Sequence, residues 1–322
     1  MRRGIVGGRF EIEREAGSGG MSTVFRAKDR QSGERVALKM LHAAEAIDEE
    51  RFAREAAVLA ELESPAIIRY IAHGTEGGLQ WLATEWLDGE DLCERLGRGG
   101  LTVPESVALV RRVAEALALA HRMGIIHRDV KPSNLFLEQG DIERVKVIDF
   151  GVVRRTRDSL RLTGTGTLVG TPGYMAPEQA SGAHALDARA DVFALGCVLF
   201  ECLTGRQAFP GEHAMAVLAR VLNEGAPRVS ELRPEISHAL DGLVARMMAK
   251  AVELRPSDAG EVVREIAALG DQRGDRPARA GARAPALSMA EQRLVTVVLV
   301  ALEPEDEPAT ASRAEADEAL VR

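Results

Sequence analysis

The run His127-Arg128-Asp129-Val130-Lys131-Pro132-Ser133-Asn134 sets a carboxylate, a cation two residues on and a carboxamide three beyond that in one polar stretch. At this spacing Asp129 can take the proton of an attacking hydroxyl, Lys131 can neutralise charge on a transferred phosphoryl group, and Asn134 can hold a metal ion. Asp149-Phe150-Gly151 follows 20 residues after Asp129, at the end of the apolar run 145–148. An aspartate at a strand end offers the hard oxygens Mg²⁺ takes, and the glycine lets the chain turn away. Upstream stands Gly17-Ser18-Gly19-Gly20-Met21-Ser22-Thr23-Val24, whose glycines let backbone amides approach phosphate oxygens closely. Lys39 closes Val36-Ala37-Leu38-Lys39 and can neutralise nucleotide phosphates beneath that loop, with Glu55 as the natural anion to hold it. The chain has 36 arginines and 5 lysines, and two of the five are Lys39 and Lys131. A compact ammonium is what a crowded phosphate site selects over a planar guanidinium.

These residues need elements to position them. Residues 9–41 alternate polar and apolar types with glycine punctuation, which predicts three short antiparallel strands. A helix period follows at 46–62, then strands at 67–73 and 79–85. After the glycine-rich acidic segment 88–100, helices are predicted at 104–123, opened by Pro104, and near 187–204, 213–224, 236–249 and 258–269. The fold class expected is α+β with two lobes, a small antiparallel-sheet lobe with one helix and a larger, mainly helical lobe. Residues 271–290 are Arg, Ala, Gly and Pro without period and read as a flexible linker. Residues 291–303 resemble one strand, and 304–322 form an acidic, alanine-rich end.

With 46% hydrophobic and 28% charged residues over 322 positions, the composition excludes a disordered chain, a fibrous repeat and a small disulfide scaffold. A net charge of −8 argues against nucleic-acid binding through a basic surface. Cys93, Cys197 and Cys202 lack metal spacing, and the last two fall in an apolar run that reads as a buried helix with free thiols. That fits a reducing, cytoplasmic setting. The apolar runs 192–203 and 294–302 are shorter than the ~20 residues of a membrane span. His73, His121, His184, His213 and His238 have no ligand spacing and read as surface or packing residues.

A fifth motif, Gly170-Thr171-Pro172-Gly173-Tyr174-Met175-Ala176-Pro177-Glu178, closes the segment that Asp149 opens. With these five motifs in this order, residues 9–270 resemble a bacterial serine/threonine protein kinase of the eukaryotic-like (Hanks) type. The resemblance implies an N-lobe over about 9–87 and a C-lobe over 88–270, with ATP and Mg²⁺ (or Mn²⁺) in the cleft between them. It also implies that Lys39 pairs with Glu55 and meets the phosphates, that Asp149 and Asn134 hold the metal, and that Asp129 is the base. Glu85-Trp86-Leu87 would be the hinge whose backbone reads the adenine, with Thr84 as gatekeeper and Val24 and Ala37 covering the ring. Gly17, Ser18, Gly19, Gly20 and Met21 would roof the phosphates, and Thr171 would line the substrate-hydroxyl site. Asp191 would brace the catalytic loop, and Arg255 would pair with Glu178. Lys131 and the form of the fifth motif imply Ser/Thr specificity. Three departures, Ser22 for the third glycine, Ala16 for a larger aliphatic and Val130 for leucine, remove no catalytic group.

Arg128 precedes the base, where relatives bind a phosphate on the activation segment. Thr163, Thr165 and Thr167, separated by glycines, are the candidate autophosphorylation sites, the first two foremost. The partners implied are proteins bearing Ser or Thr, with a homodimer as one route to autophosphorylation. The strand at 291–303 resembles the first strand of class III nucleotide cyclase domains, with Ala301 where that family keeps a metal-binding aspartate; a linker with one chance strand is the other reading. The alternative function is a catalytically weak ATP-binding scaffold that regulates a downstream module. A small-molecule kinase of the same fold is disfavoured by the fifth motif and Arg255.

Overall fold

The computed structural model describes residues 4–19, 22–42, 49–150, 172–183 and 185–270, without the side chains of Arg51 and Glu55. Gly20, Met21, Thr163, Thr165, Thr167, Thr171, the expected linker 271–290 and the segment 291–322 lie outside the described residues.

The N-terminal sheet is antiparallel, in the order β1-β2-β3-β4-β6-β5. Its strands are β1 (Ile5–Val6), β2 (Phe10–Ser18), β3 (Ser22–Asp29), β4 (Arg35–Leu41), β5 (Tyr70–Glu76) and β6 (Leu79–Glu85). Alternation puts Phe10, Ala27, Val36, Leu38, Trp81 and Ala83 on one buried face, where Phe10 meets Trp81 edge-on at 5.4 Å. Helix α1 (Glu49–Ala60) carries Glu55 and turns the buried Phe52 and Ala56 inward. The β3–β4 turn is closed by Asp29, which accepts from Arg9 at 2.8 and 2.7 Å, from Gln31 N–H and from the Ser32 hydroxyl. The Arg9 bonds outweigh burial and hold the Asp29 carboxyl well below the usual carboxylate range.

Beyond residue 88 the C-lobe holds β7 (Gly89–Asp91), α2 (Leu92–Leu96), α3 (Val103–Arg122), β8 (Leu135–Glu138), β9 (Val145–Val147), α4 (Pro177–Ala180), α5 (Ala188–Thr204), α6 (Ala214–Asn223), α7 (Val229–Leu232), α8 (His238–Met247) and α9 (Ala259–Ala268). Strands β7-β8-β9 form a second small sheet beneath the cleft. In α5 every residue from 190 to 204 is buried, as a helix apolar on all sides must be. At Gly196 a Cβ would come within 2.8 Å of the Met247 Cβ, so the glycine lets α8 press directly on α5.

Four local expectations are corrected. Residues 67–68 do not begin β5; Ile67 bridges to Val147 and Ile68 N–H donates to Val147 O, so this apolar pair docks onto β9. Segment 88–100 holds β7 and α2, whose polar strand has no hydrophobic alternation to betray it. An edge strand, β1, precedes residue 9 and pairs with Phe10 and Glu11. Helix α3 starts one residue before Pro104, at the capping box that Thr102 and Glu105 form.

Candidate active site

The cleft lies between the two sheets. Its roof is β2–β3, with Gly17, Ser18 and Gly19 at the tip and Val24 paired with Lys39 of β4. Ala37 stands across from Thr84 of β6. At Lys39 the alternation of β4 gives a half-buried position, and its Nζ meets Asp149 Oδ1 at 2.6 Å. The expected Lys39–Glu55 pair falls on a side chain outside the described residues. Asp149 has a left-handed backbone with φ +58°, unusual for a side-chain-bearing residue, and stands two residues past the end of β9. Desolvation in the cleft pushes its half-exposed carboxyl up, but the charge and hydrogen bond of Lys39, helped by His127 and Lys131, outweigh that and hold it below its ordinary value.

On the floor, Asp129 Oδ2 meets Lys131 Nζ at 2.9 Å and accepts from Asn134 Nδ2 at 3.0 Å. Asn134 Nδ2 also donates to Asp129 O at 2.8 Å. Both bonds use the amide nitrogen, which leaves the Asn134 oxygen as a hard donor. Pro132 pre-sets the 3-10 turn Pro132–Asn134 that brings Asn134 back to Asp129. Arg128, with φ +66°, is a second left-handed residue in this loop.

The loop is hung from α5. Asp191 is buried, and its two oxygens accept from His127 N–H and Arg128 N–H, both at 2.7 Å. His121 Nε2 lies 2.9 Å from Asp191 Oδ2, while His121 Nδ1 accepts from Ala259 N–H at 3.2 Å, so the ring proton sits on Nε2. His121, which the sequence reads as a surface or packing residue, has a buried side chain that links α9 through Asp191 to the loop 127–134, and nothing in its spacing marks that link. His127 Nε2 donates to Ile148 O, and its ring packs against Phe150 at 4.7 Å. Arg255 spends its donors on Glu178 at 2.7 and 2.8 Å and on the carbonyls of Ala249, Arg189 and Lys250. Gln179 Nε2 donates to Arg128 O, so α4 also touches the loop.

In the segment expected to be the hinge, β6 ends at Glu85, and Trp86 Nε1 donates to Asp88 at 2.9 Å. Arg14 and Arg26 of the roof reach over the Trp86 ring at 5.8 and 5.9 Å.

Among the described residues no three His, Cys, Asp or Glu side chains converge on a metal position. Asp149 and the Asn134 oxygen are nevertheless the donor set Mg²⁺ accepts, because that ion keeps waters and is bound by one or two protein oxygens together with substrate phosphates. Nor does any helix among the described residues have the length and apolar character to cross a membrane.

Comparison with known proteins places this geometry. Residues 10–266 match the protein kinase domain family. The serine/threonine-protein kinase PknJ of Mycobacterium tuberculosis is 39% identical over 272 residues, which are 82% of this chain and 46% of that protein. A probable serine/threonine-protein kinase of Streptomyces coelicolor, SCO3848, is 36% identical over 83% of this chain and 40% of its own length. The chain thus spans about half the length of these curated relatives. The crystal structure of the Mycobacterium tuberculosis PknI kinase domain superposes with a TM-score of 0.65 at 28% identity, over 83% of this chain and 98% of that one. The match of sequence and fold across both lobes means that this chain belongs to the protein kinase domain family.

Proposed function

We propose that the chain is a serine/threonine protein kinase of bacterial signalling that moves the γ-phosphoryl group of ATP to Ser or Thr hydroxyls. The observation that carries this reading is the convergence of two clusters, Lys39–Asp149 at the roof side and Asp129–Lys131–Asn134 on the floor. Gly17 supports it. Its backbone is not left-handed and a Cβ there would meet no atom of the described residues within 4 Å, so among them neither strain nor packing calls for glycine. A ligand whose phosphates lie against the loop does.

Magnesium, when bound, neutralises phosphate charge and orients the transferred group. Asp149 and the Asn134 oxygen would hold it. Lys39 orients the phosphates, and Glu55 is proposed as its anion once Asp149 turns to the metal. Asp129, oriented by Asn134, accepts the proton of the incoming hydroxyl. Lys131 steadies the charge beside it. Thr84, the backbone of Glu85 and Leu87, and the side chains of Val24 and Ala37 would hold the adenine, while Ser18, Gly20 and Met21 would complete the roof. The rate rests on positioning and electrostatics.

The catalytic unit would be residues 9–270, with 271–290 read as a linker and 291–322 read either as a cyclase-like remnant with an acidic tail or as further linker with one chance apolar run. Autophosphorylation at Thr163, Thr165 or Thr167, read by Arg128, would order the activation segment, with Thr171 lining the substrate site. A cytoplasmic setting and protein substrates complete the reading. Radiolabelled ATP with wild type, Asp129→Asn and Lys39→Met tests it: loss of Asp129 should lower incorporation by about 10²–10⁴-fold. Equal labelling of all three overturns it.

A further inference from the structure

The hinge has a side-chain anchorage that the proposed phosphoryl chemistry does not use. Glu85 Oε1 accepts from Lys146 Nζ at 2.7 Å and from Arg69 N–H at 2.8 Å. The two charged side chains are 61 residues apart and only 14% and 19% exposed. Lys146 is the central residue of β9, in the small sheet of the C-lobe, whereas Glu85 ends a strand of the N-terminal sheet. Around this pair, Glu85 N–H donates to Arg69 O at 2.9 Å, Val147 N–H donates to Ala66 O at 2.8 Å, and Ile68 N–H donates to Val147 O at 3.0 Å. The link 66–69, the hinge and β9 are therefore one bonded unit spanning the lobes. Three residues beyond Lys146 on the same chain path stands Asp149, bonded to Lys39.

We infer that Lys146 is a positioning residue of the nucleotide cleft, an inference that rests on the kinase reading above. Through Glu85 it holds the backbone that faces the base, and through β9 it ties that backbone to Asp149 at the phosphate end. A charge-assisted bond that is largely shielded from water is not replaced by water at no cost. Without the ammonium, the Glu85 carboxylate keeps the single Arg69 donor of the two recorded for Oε1. The hinge then relaxes towards solvent, and the base-reading groups lose their spacing relative to the phosphate-binding ones. The lysine economy of the chain is consistent with this. Lys146 is one of five lysines among 41 basic residues, and like Lys39 and Lys131 it sets its ammonium within 2.9 Å of a carboxylate oxygen.

The test compares wild type with Lys146→Met, the near-isosteric Glu85→Gln and the double variant, using the full chain. Hydrogen exchange without nucleotide should show the hinge amides 86–88 exchanging about three- to tenfold faster in each variant, with α5 unchanged. The ATP KM should rise by about the same factor, and in Lys146→Met kcat should move by less than about twofold, because the lost contact acts on binding. The double variant should be no worse than Lys146→Met, since Glu85→Gln weakens, by removing its charge, the same contact that Lys146→Met removes. Unchanged hinge exchange, or effects that add in the double variant, overturn the inference while leaving an active wild type as a kinase. Failure of the wild type to bind ATP overturns the kinase reading and this inference together.

Discussion

A half-buried lysine and a buried cysteine put opposite pH dependences into the C-lobe. Lys250 Nζ lies 4.0 Å from the Phe209 ring centroid and donates to Val221 O at the end of α6. Burial pushes its pKa down from 10.5 to about 8. Below about pH 8 the folded and unfolded chains both carry this proton, so the cost of the partly desolvated cation stands in full. Between about 8 and 10.5 only the unfolded chain keeps it, and the contribution of Lys250 to stability improves as pH rises. Cys197 runs the other way. Burial pushes its thiol up from 9.0 to about 12, so above pH 9 the unfolded chain ionises while the folded one cannot, and stability is lost. Tm measured from pH 7 to 10 should show Lys250→Met losing ground against wild type as pH rises, and Cys197→Ala gaining it. A constant offset across that range would refute the assignment.

Arg255 joins elements that are distant in sequence. Its guanidinium is fully buried and binds Glu178 of α4 together with three backbone carbonyls, two at the turn after α8 and one in the first turn of α5. A lysine has three donors on a point charge and cannot span that fork. Arg255→Lys should therefore lower the unfolding free energy by about 2–4 kcal/mol, close to the cost of breaking a buried pair. It should also lower activity by loosening α4, whose Gln179 holds the Arg128 carbonyl. Urea denaturation with a parallel phosphate-incorporation assay checks both; a stability within about 0.5 kcal/mol of wild type, the range of an ordinary surface change, would show the fork to be dispensable.

Taken as a whole, the molecule is unequal. The buried core of the N-terminal sheet comprises seven residues among those described, whereas the C-lobe core runs continuously through α3, α5, α8 and α9. A small core buries too little surface to stand alone at high stability. Both tryptophans, Trp81 and Trp86, belong to β6 and the hinge, and the long helices belong to the C-lobe. Tryptophan emission should therefore report loss of the N-lobe at lower urea than the helical circular dichroism signal reports loss of the C-lobe. Superimposed transitions would mean that inter-lobe bonds such as Lys146–Glu85 are strong enough to make the two lobes one cooperative unit.

The sequence by itself determined the family's motifs, their order and the two-lobed plan, because motifs such as 127–134 and 149–151 are written in local spacing and because strand and helix periods are local. Lys39, Asp129, Asn134, Asp191 and Arg255 were legible in that way. The tertiary structure alone decided the partners. That Ile67 and Ile68 leave β5 to dock on β9, that a polar stretch at 89–91 becomes a strand, and that His121 links α9 to Asp191 all depend on neighbours tens of residues away. The hinge anchorage is the same kind of fact. Nothing near Lys146 or Glu85 in sequence marks them as a pair, and only the approach of the two sheets brings an ammonium within 2.7 Å of a half-buried carboxylate.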